Sequence, residues 1–379
     1  MLRTDLSEED LATLGQGGLD TSAADGLVEN VVGIYALPLG VGLNFRVNGR
    51  DVVVPMAVEE PSVIAAASNA ARMVRDGGGF SAEADEPIMT AQIEVVGVAD
   101  AETAGVRVQA ARQELMCLAH AALPRLAERG GGLRALEVRA LPGRVIVHLH
   151  IDCRNAMGAN MVNTVAEALA DRVARLAGGR PGLRILTNLS DRRCVRVRAR
   201  VPAASLATDE LDGAAVRDGI VAASCFADDD PYRAATHNKG IMNGVDAVVI
   251  ATGNDWRGVE AGAHAFAASG GRYRPLSSWR VVDGDLVGRL EMPMAVGTVG
   301  GTLRAHAGAR LSQRLLGTTS ATTLGMIIGA VGLASNLAAL RALATDGIQR
   351  GHMALHRRSS SMVVMLEGDR HDSSQPHRS

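Results

Sequence analysis

The chain has 379 residues, a formal net charge of −2 and an apolar fraction of 47%. This length and composition are typical of a soluble globular protein of about two or three domains, with no basic surplus for nucleic acid. The acidic N-terminus is not expected to be a signal peptide. Four scattered cysteines without metal-ligand spacing indicate free thiols in a reducing cytoplasm.

The first part of the chain predicts a short helix followed by strands and a second helix. Ser7 suits the cap of a helix over residues 7–14, with Asp10 three residues later. The run at residues 31–35 predicts a strand, and Asn48-Gly49 is a hairpin signal. The Ala-rich stretch 63–75 predicts a helix.

Residues 87–190 have a different pattern and predict a compact α+β unit. The predicted elements alternate between strands and helices, with glycine turns between them. They are a strand at 91–98, a helical region at 101–129 broken near Pro124, strands at 135–140 and 144–153, a helix at 161–177 and a strand at 183–187.

The loop Asn155-Ala156-Met157-Gly158-Ala159-Asn160 connects a predicted strand to a predicted helix. Exposed N–H groups at a helix N-terminus favour an anion, so this small-residue loop suits a phosphate, although most such loops are plain turns. No GxGxxG follows a first strand, so a standard Rossmann module is not predicted.

The last third of the chain predicts strands and buried helices. Residues 194–201 alternate Arg and Val as a half-exposed strand would, and Asp255 suits the cap of a helix ending at Ala268. A hairpin over residues 279–291 follows. Residues 315–340 contain no charge and exceed a membrane span in length. Their Ser, Thr and Asn content favours a buried core helix instead.

The stretch 233–255 contains Lys239, the only lysine among 39 Lys plus Arg. A compact ammonium fits a small site and shifts its pKa more readily than a guanidinium, so Lys239 is a candidate for chemistry. The alternative is a single surface lysine without a role, and residue type alone does not decide between the two. His352 and His356 share a helix face, but neither a HExxH glutamate nor a third ligand accompanies them, so no metal site is predicted.

Five motifs occur in an order that resembles 3-hydroxy-3-methylglutaryl-coenzyme A (HMG-CoA) reductase of the soluble bacterial class, class II. The similarity runs from about residue 26 to 358. The motifs are Glu59-Glu60-Pro61-Ser62, Asn155-Ala156-Met157-Gly158-Ala159-Asn160, His237-Asn238-Lys239-Gly240, Thr252-Gly253-Asn254-Asp255 and Gly351-His352-Met353.

The resemblance implies an α+β fold. A large HMG-CoA domain, residues 1–86 and 191–350, would surround a long central buried helix. Residues 87–190 would form an inserted small, ferredoxin-like and non-Rossmann domain that binds NADH or NADPH. Residues 351–379 would be a remnant of a C-terminal flap. The resemblance also implies a cytoplasmic homodimer with active sites at its interface, and higher oligomers of dimers stay open.

The resemblance implies a four-electron reduction of HMG-CoA to mevalonate and coenzyme A, or the reverse oxidation. Lys239 would hold the thioester oxygen as negative charge develops, and Glu60 would protonate the mevaldehyde carbonyl. Asp255 would orient the Lys–Glu pair, and His352 would protonate the departing thiolate. Ser62, Arg233 and Asn188 would contact the substrate or its neighbours, and residues 155–160 would face the cofactor.

Three departures from the family pattern lead to an alternative hypothesis. The loop at residues 155–160 begins with Asn155 where the family usually has Asp, the family's basic N-terminal arm is not expected, and only 27 residues follow His352 in place of a longer flap. Flap closure excludes water from such sites. The alternative is therefore a catalytically impaired homologue that retains acyl-coenzyme A binding or a structural role in a dimer.

Overall fold

The computed structural model describes residues 6–345, apart from the side chain of Thr302. Ten strands are present in this range. They are Leu39–Val47 (β1), Arg50–Ala57 (β2), Phe80–Ala84 (β3), Ile88–Val96 (β4), Gly132–Leu141 (β5), Arg144–Asp152 (β6), Arg180–Leu186 (β7), Cys194–Val201 (β8), Ser277–Val282 (β9) and Asp285–Pro293 (β10).

The same range contains thirteen α-helices and one short 3₁₀ turn. The helices are Glu8–Gly15 (α1), Thr21–Asp25 (α2), Val63–Asp76 (α3), Ala101–Ala110 (α4), Arg112–Ala122 (α5), Pro124–Glu128 (α6), Ala159–Ala177 (α7), Gly213–Asp229 (α8), Pro231–Ala251 (α9), Trp256–Ala268 (α10), Gly301–Ala305 (α11), Ala307–Leu316 (α12) and Ala321–Ala344 (α13).

The strands form two sheets with separate hydrophobic cores. The six-stranded large sheet has the order β2-β1-β3-β8-β10-β9, and the four-stranded small sheet has the order β5-β6-β4-β7. One core lies between the large sheet and α3, α8, α9 and α13, and the other lies between the small sheet and α4, α5 and α7. The mixed α+β fold is therefore confirmed.

Helix α13 is the buried helix that the sequence predicts, although it begins at Ala321 rather than near residue 315. Its length and composition would allow it to cross a membrane, but 78% of its most apolar window is buried inside the fold. Small residues let its neighbours approach closely. A Cβ on Gly329 would lie 2.9 Å from a methyl group of Val197 in β8.

Two local predictions from the sequence have different outcomes. Ser7 caps α1 and forms a reciprocal capping box with Asp10, as predicted. The predicted strand at residues 31–35 is wrong, since this stretch has no regular structure and Tyr35 is 95% exposed. Its β-branched residues match strand propensity, but no neighbouring strand supplies the hydrogen bonds that a sheet requires.

The contact between α9 and α13 gives a prediction about stability. A Cβ on Gly244 would lie 2.2 Å from Ser335 Oγ and 3.0 Å from the Val331 carbonyl oxygen. We expect Gly244→Ala to lower the free energy of unfolding by about 1–3 kcal/mol in chemical denaturation, because the helices must separate.

Gly240→Ala on the same helix is the matched control, because its Cβ would meet only Ala339 Cβ, at 3.8 Å. Its higher helix propensity should leave stability unchanged or raise it by up to about 1 kcal/mol. Equal destabilisation by both substitutions would contradict close packing at Gly244.

Candidate active site

Lys239 and Glu60 form an ion pair, although 179 positions separate them in the sequence. Lys239 Nζ donates a hydrogen bond of 3.0 Å to Glu60 Oε2, and the two side chains are 63% and 35% exposed. Exposed ion pairs of this kind contribute little to stability. The structure therefore brings a cation and a carboxylate together where a ligand can reach both.

His237 anchors the helix that carries Lys239. Its buried imidazole Nε2 lies 2.7 Å from Ser277 Oγ and 3.1 Å from Asn336 Nδ2, which joins α9 to β9 and α13. Burial, with a smaller effect of the Arg233 guanidinium, lowers the pKa of His237 to about 4. The side chain is thus neutral at physiological pH and acts as a structural anchor.

Asn238 is a second anchor, which the sequence analysis did not identify. Its buried amide donates to Tyr273 Oη at 3.0 Å and to the Arg274 carbonyl oxygen at 2.9 Å, and it accepts a 2.9 Å bond from the Leu276 N–H. In the His-Asn-Lys motif, two buried polar residues therefore fix one turn of α9, and the third side chain reaches solvent. A polar run with this burial pattern cannot be read from residue types alone.

Ser62 and Arg233 have features that suit ligand contact. Ser62 precedes α3 with a φ of 74°, in the left-handed region, and its side chain makes no capping bond. Such strained residues are enriched at functional sites. Arg233 is half-buried six residues before Lys239 on α9, and burial lowers its pKa. No carboxylate pairs with Arg233 within residues 6–345.

Asp255 caps α10, as the sequence predicts, by accepting a 3.1 Å bond from the Gly258 N–H. Asn188 is its neighbour, since a Cβ on Gly258 would lie 2.8 Å from Asp255 Oδ2 and 3.5 Å from Asn188 Oδ1. In the part of the chain described, no hydrogen bond or ion pair joins Asp255 to Lys239 or Glu60.

The loop at residues 155–160 leads from β6 into α7. Gly158 occupies the cap position of α7 with a φ of 105° and offers no capping side chain. A Cβ there would lie 2.4 Å from Cys153 Sγ, so glycine is required. The first N–H groups of this long helix have no side-chain cap, and together with the helix dipole they fit an anionic group such as a phosphate.

Arg193 anchors this loop and was missed by the sequence analysis. The side chain is 4% exposed, and its guanidinium donates to the carbonyl oxygens of Ala156, Met157 and Val296. Burial lowers its pKa to about 10. Its rigid fork of donors satisfies several carbonyl groups at once, which one ammonium would not do in the same geometry.

Asn155 and Gly297 connect the loop to the Asp255 region. Asn155 Oδ1 accepts a 3.1 Å bond from the Ala321 N–H at the start of α13. Gly297 donates a 2.7 Å bond to Asn254 Oδ1, and its Cα packs closely against residues 155–157. The loop, Asn254, Asp255 and Asn188 therefore form one continuous group.

Helix α9 separates this group from Lys239. Lys239 lies twelve residues before the end of α9 at Ala251, which corresponds to about 18 Å along the axis of a straight helix. Asp255 follows directly after that end. Helix α10 then packs back against α9, and the Asp246 carboxyl group of α9 lies beside the Glu260 carboxyl group of α10. Within one chain, the predicted site residues therefore form two groups.

His352, His356 and the flap remnant at residues 351–379 lie outside the described residues. The predicted role of His352 stays a prediction.

The lowered pKa of His237 gives a prediction about pH. Between its ordinary value of 6.5 and about 4, the unfolded chain binds more protons at this side chain than the native chain does. The free energy of unfolding should therefore fall as the pH decreases through this window, by at most about 3 kcal/mol from this residue.

His237→Gln should show a shallower loss of stability between pH 6.5 and 4 than the unaltered chain, measured by chemical denaturation at each pH. An identical pH dependence in the two proteins would show that His237 is not kept neutral by burial.

Comparisons with known proteins agree with this arrangement. A family model described as hydroxymethylglutaryl-coenzyme A reductase matches residues 1–357. The chain is 45% identical over 372 residues to a 3-hydroxy-3-methylglutaryl-coenzyme A reductase of Archaeoglobus fulgidus, covering 97% of this chain and 84% of that protein.

A solved class II 3-hydroxy-3-methylglutaryl-CoA reductase from Streptococcus pneumoniae, bound to NADPH in open conformations, has a similar structure. The TM-score is 0.86 at 43% identity, covering 90% of this chain and 94% of that one. A second structure from that organism gives a TM-score of 0.87 at 40% identity over 98% of this chain and 92% of that one. This chain therefore belongs to the hydroxymethylglutaryl-coenzyme A reductase family.

Proposed function

We propose that this protein interconverts HMG-CoA and mevalonate plus coenzyme A, as an NAD(P)-dependent oxidoreductase. The observation that carries the proposal is the ion pair between Lys239, the only lysine of the chain, and Glu60, with Nζ and Oε2 3.0 Å apart. The family relationship supplies the substrate class. The intact Lys–Glu pair favours this activity over a catalytically impaired homologue.

The Lys239 ammonium and the Glu60 carboxyl group suit two requirements of thioester reduction, which are stabilisation of an oxyanion and delivery of a proton. Hydride attack turns the carbonyl oxygen into an oxyanion, and the Lys239 ammonium can hold that charge as a compact point cation. Glu60 lies within hydrogen-bond distance of the ammonium and can supply the proton that the aldehyde oxygen takes up at the second reduction. Ser62 and Arg233 would bind the hydroxymethylglutaryl part of the substrate.

The cofactor would lie against residues 155–160, where the uncapped N-terminus of α7 suits its phosphates. The bound nicotinamide would supply the hydride. Arg193 would keep the loop in place through the Ala156 and Met157 carbonyl oxygens. NADH and NADPH both remain candidates.

We assign residues 87–190 to an inserted ferredoxin-like domain and residues 1–86 and 191–350 to the HMG-CoA domain. In support, β4 to β7 follow the order strand, helices, two strands, helix and strand, and they pair as β5-β6-β4-β7. This connectivity is the split βαβ pattern of ferredoxin-like units.

The protein would act as a homodimer in which each active site uses two copies of the chain. Lys239 and Glu60 lie about 18 Å along α9 from Asp255 and the cofactor loop, a span that the short Asp side chain does not bridge. Placing the Asp255 group of a second copy over the Lys239–Glu60 pair would complete the site, and the two-fold symmetry of a dimer would make two such sites. Asp255 would then orient the pair of the partner.

The cytoplasm is the compartment that fits this role best, because the nicotinamide and coenzyme A substrates are soluble metabolites and the free cysteines suit a reducing environment.

Substitution of Glu60 tests the assignment. With HMG-CoA and either reduced cofactor, and with mevalonate, coenzyme A and either oxidised cofactor, the unaltered chain should change absorbance at 340 nm in at least one combination. Glu60→Gln and Lys239→Gln should lower kcat by about 10²–10³, as the loss of a group that stabilises the transition state does.

Glu59→Gln is the matched control, since Glu59 is the exposed neighbour and pairs with no cation in the described part of the chain. It should retain full activity. An unaltered chain inactive in all four combinations would overturn the proposal, and full activity of Lys239→Gln would overturn the role of the lysine.

A further inference from the structure

A cluster of potential metal ligands lies on the small sheet, on the face opposite the helices. Glu137 of β5 is paired with His148 of β6, and His150 is the next residue on the same face. One ligand atom from each of these three side chains lies within 4.8 Å of the others. The spacing of the two histidines in β6 is not by itself a metal-binding motif, and the carboxylate comes from the neighbouring strand β5. The sequence alone therefore does not reveal this cluster.

Strand β4 fixes the orientation of both imidazole rings. Thr90 Oγ1 lies 2.8 Å from His150 Nδ1, and Gln92 Nε2 lies 2.9 Å from His148 Nε2. Thr90 Oγ1 can accept the N–H of His150 Nδ1, which leaves His150 Nε2 for a ligand. The Gln92 amide has to turn its oxygen toward His148 Nε2 for the other nitrogen of that ring to bind a metal. Metal-binding histidines usually have such a partner on the ring nitrogen that does not bind the metal.

The free nitrogen of His150 is the second observation that points to a ligand. The side chain is 4% exposed, and within the described residues its Nε2 has no hydrogen bond of good geometry, only a long contact with the Glu137 carboxylate. This atom faces Glu137 Oε2 at 3.4 Å. A buried nitrogen without a hydrogen bond, beside a carboxylate oxygen, is the arrangement that a bound cation would satisfy.

Positive charge in the neighbourhood opposes a cation. The Arg192 guanidinium donates to Glu137 Oε1, and Arg139 lies close to His148. The negative charge of Asp191 partly offsets these two arginines. Because Arg192 uses Oε1, the other oxygen, Oε2, stays available on the side of His150.

We propose that Glu137, His148 and His150 form a binding site for a divalent transition-metal ion, with Zn²⁺ as the best fit. Two imidazoles and one carboxylate, with a fourth position open to water, are a common zinc ligand set. The bound ion would cross-link β5 to β6. It would thereby stabilise the small sheet. Strand β6 of this sheet leads into the loop at residues 155–160.

Co²⁺ provides the probe, because its visible absorption reports its ligands. The metal-free full-length protein should bind Co²⁺ with a visible band that Zn²⁺ displaces, and Zn²⁺ should raise the melting temperature. His148→Gln and Glu137→Gln should lose the band. Thr90→Val should bind about 10–100-fold more weakly, because it removes the partner of His150 Nδ1.

Two further variants distinguish this site from other ligands in the chain. His264→Gln removes a second histidine–carboxylate pair among residues 6–345, with Glu260 at 2.6 Å, and should keep the band. Arg192→Gln should bind Co²⁺ more tightly, because it removes the opposing positive charge. An increase in affinity cannot result from misfolding, so this variant tests the site even if the other variants do not fold. A band that survives His148→Gln and Glu137→Gln, or no band in the unaltered chain, would overturn the proposal.

Discussion

The length and rigidity of α9 are the constraint on which the candidate site depends. This 21-residue helix is packed against α13 along one side, and close contacts such as Gly244 with Ser335 leave no room for it to bend or shift. Lys239 lies in the first half of this helix, and Asp255 follows shortly after its last residue. Two groups with complementary chemistry are therefore held apart within one chain.

Buried polar side chains supply the precision of this arrangement. His237 and Asn238 use their hydrogen bonds on β9, α13 and the segment before β9, so the turn that presents Lys239 is fixed on two sides. Arg193 does the same for the loop at residues 155–160, through the Met157 carbonyl oxygen. Satisfied buried networks of this kind make a local structure unique, because a shifted helix would leave several polar atoms without partners.

Local signals in the sequence predicted local structure well. The cap at Ser7, the hairpin at Asn48-Gly49 and the alternating strand Cys194–Val201 all formed where short-range chemistry placed them. Helix α9 was not assigned from the sequence, because Gly240, Gly244 and several valines lower helix propensity and only packing against α13 compensates for them. The pairing of Lys239 with Glu60, the anchor at Arg193 and the cluster around His150 depend on contacts between distant strands and helices, which no spacing rule reveals.

The central claim is that Lys239 of one copy works with Asp255 of another, and mixing two inactive variants tests it most directly. Lys239→Ala and Asp255→Ala would each be purified, unfolded together and refolded, and the exchange of chains confirmed by native mass spectrometry. Each mixed dimer has one site with both substitutions and one site with neither. Because random exchange of equal amounts makes about half of the dimers mixed, activity should return to about a quarter of the unaltered level. A mixture that exchanges chains yet stays as inactive as its parents would contradict a site shared between copies.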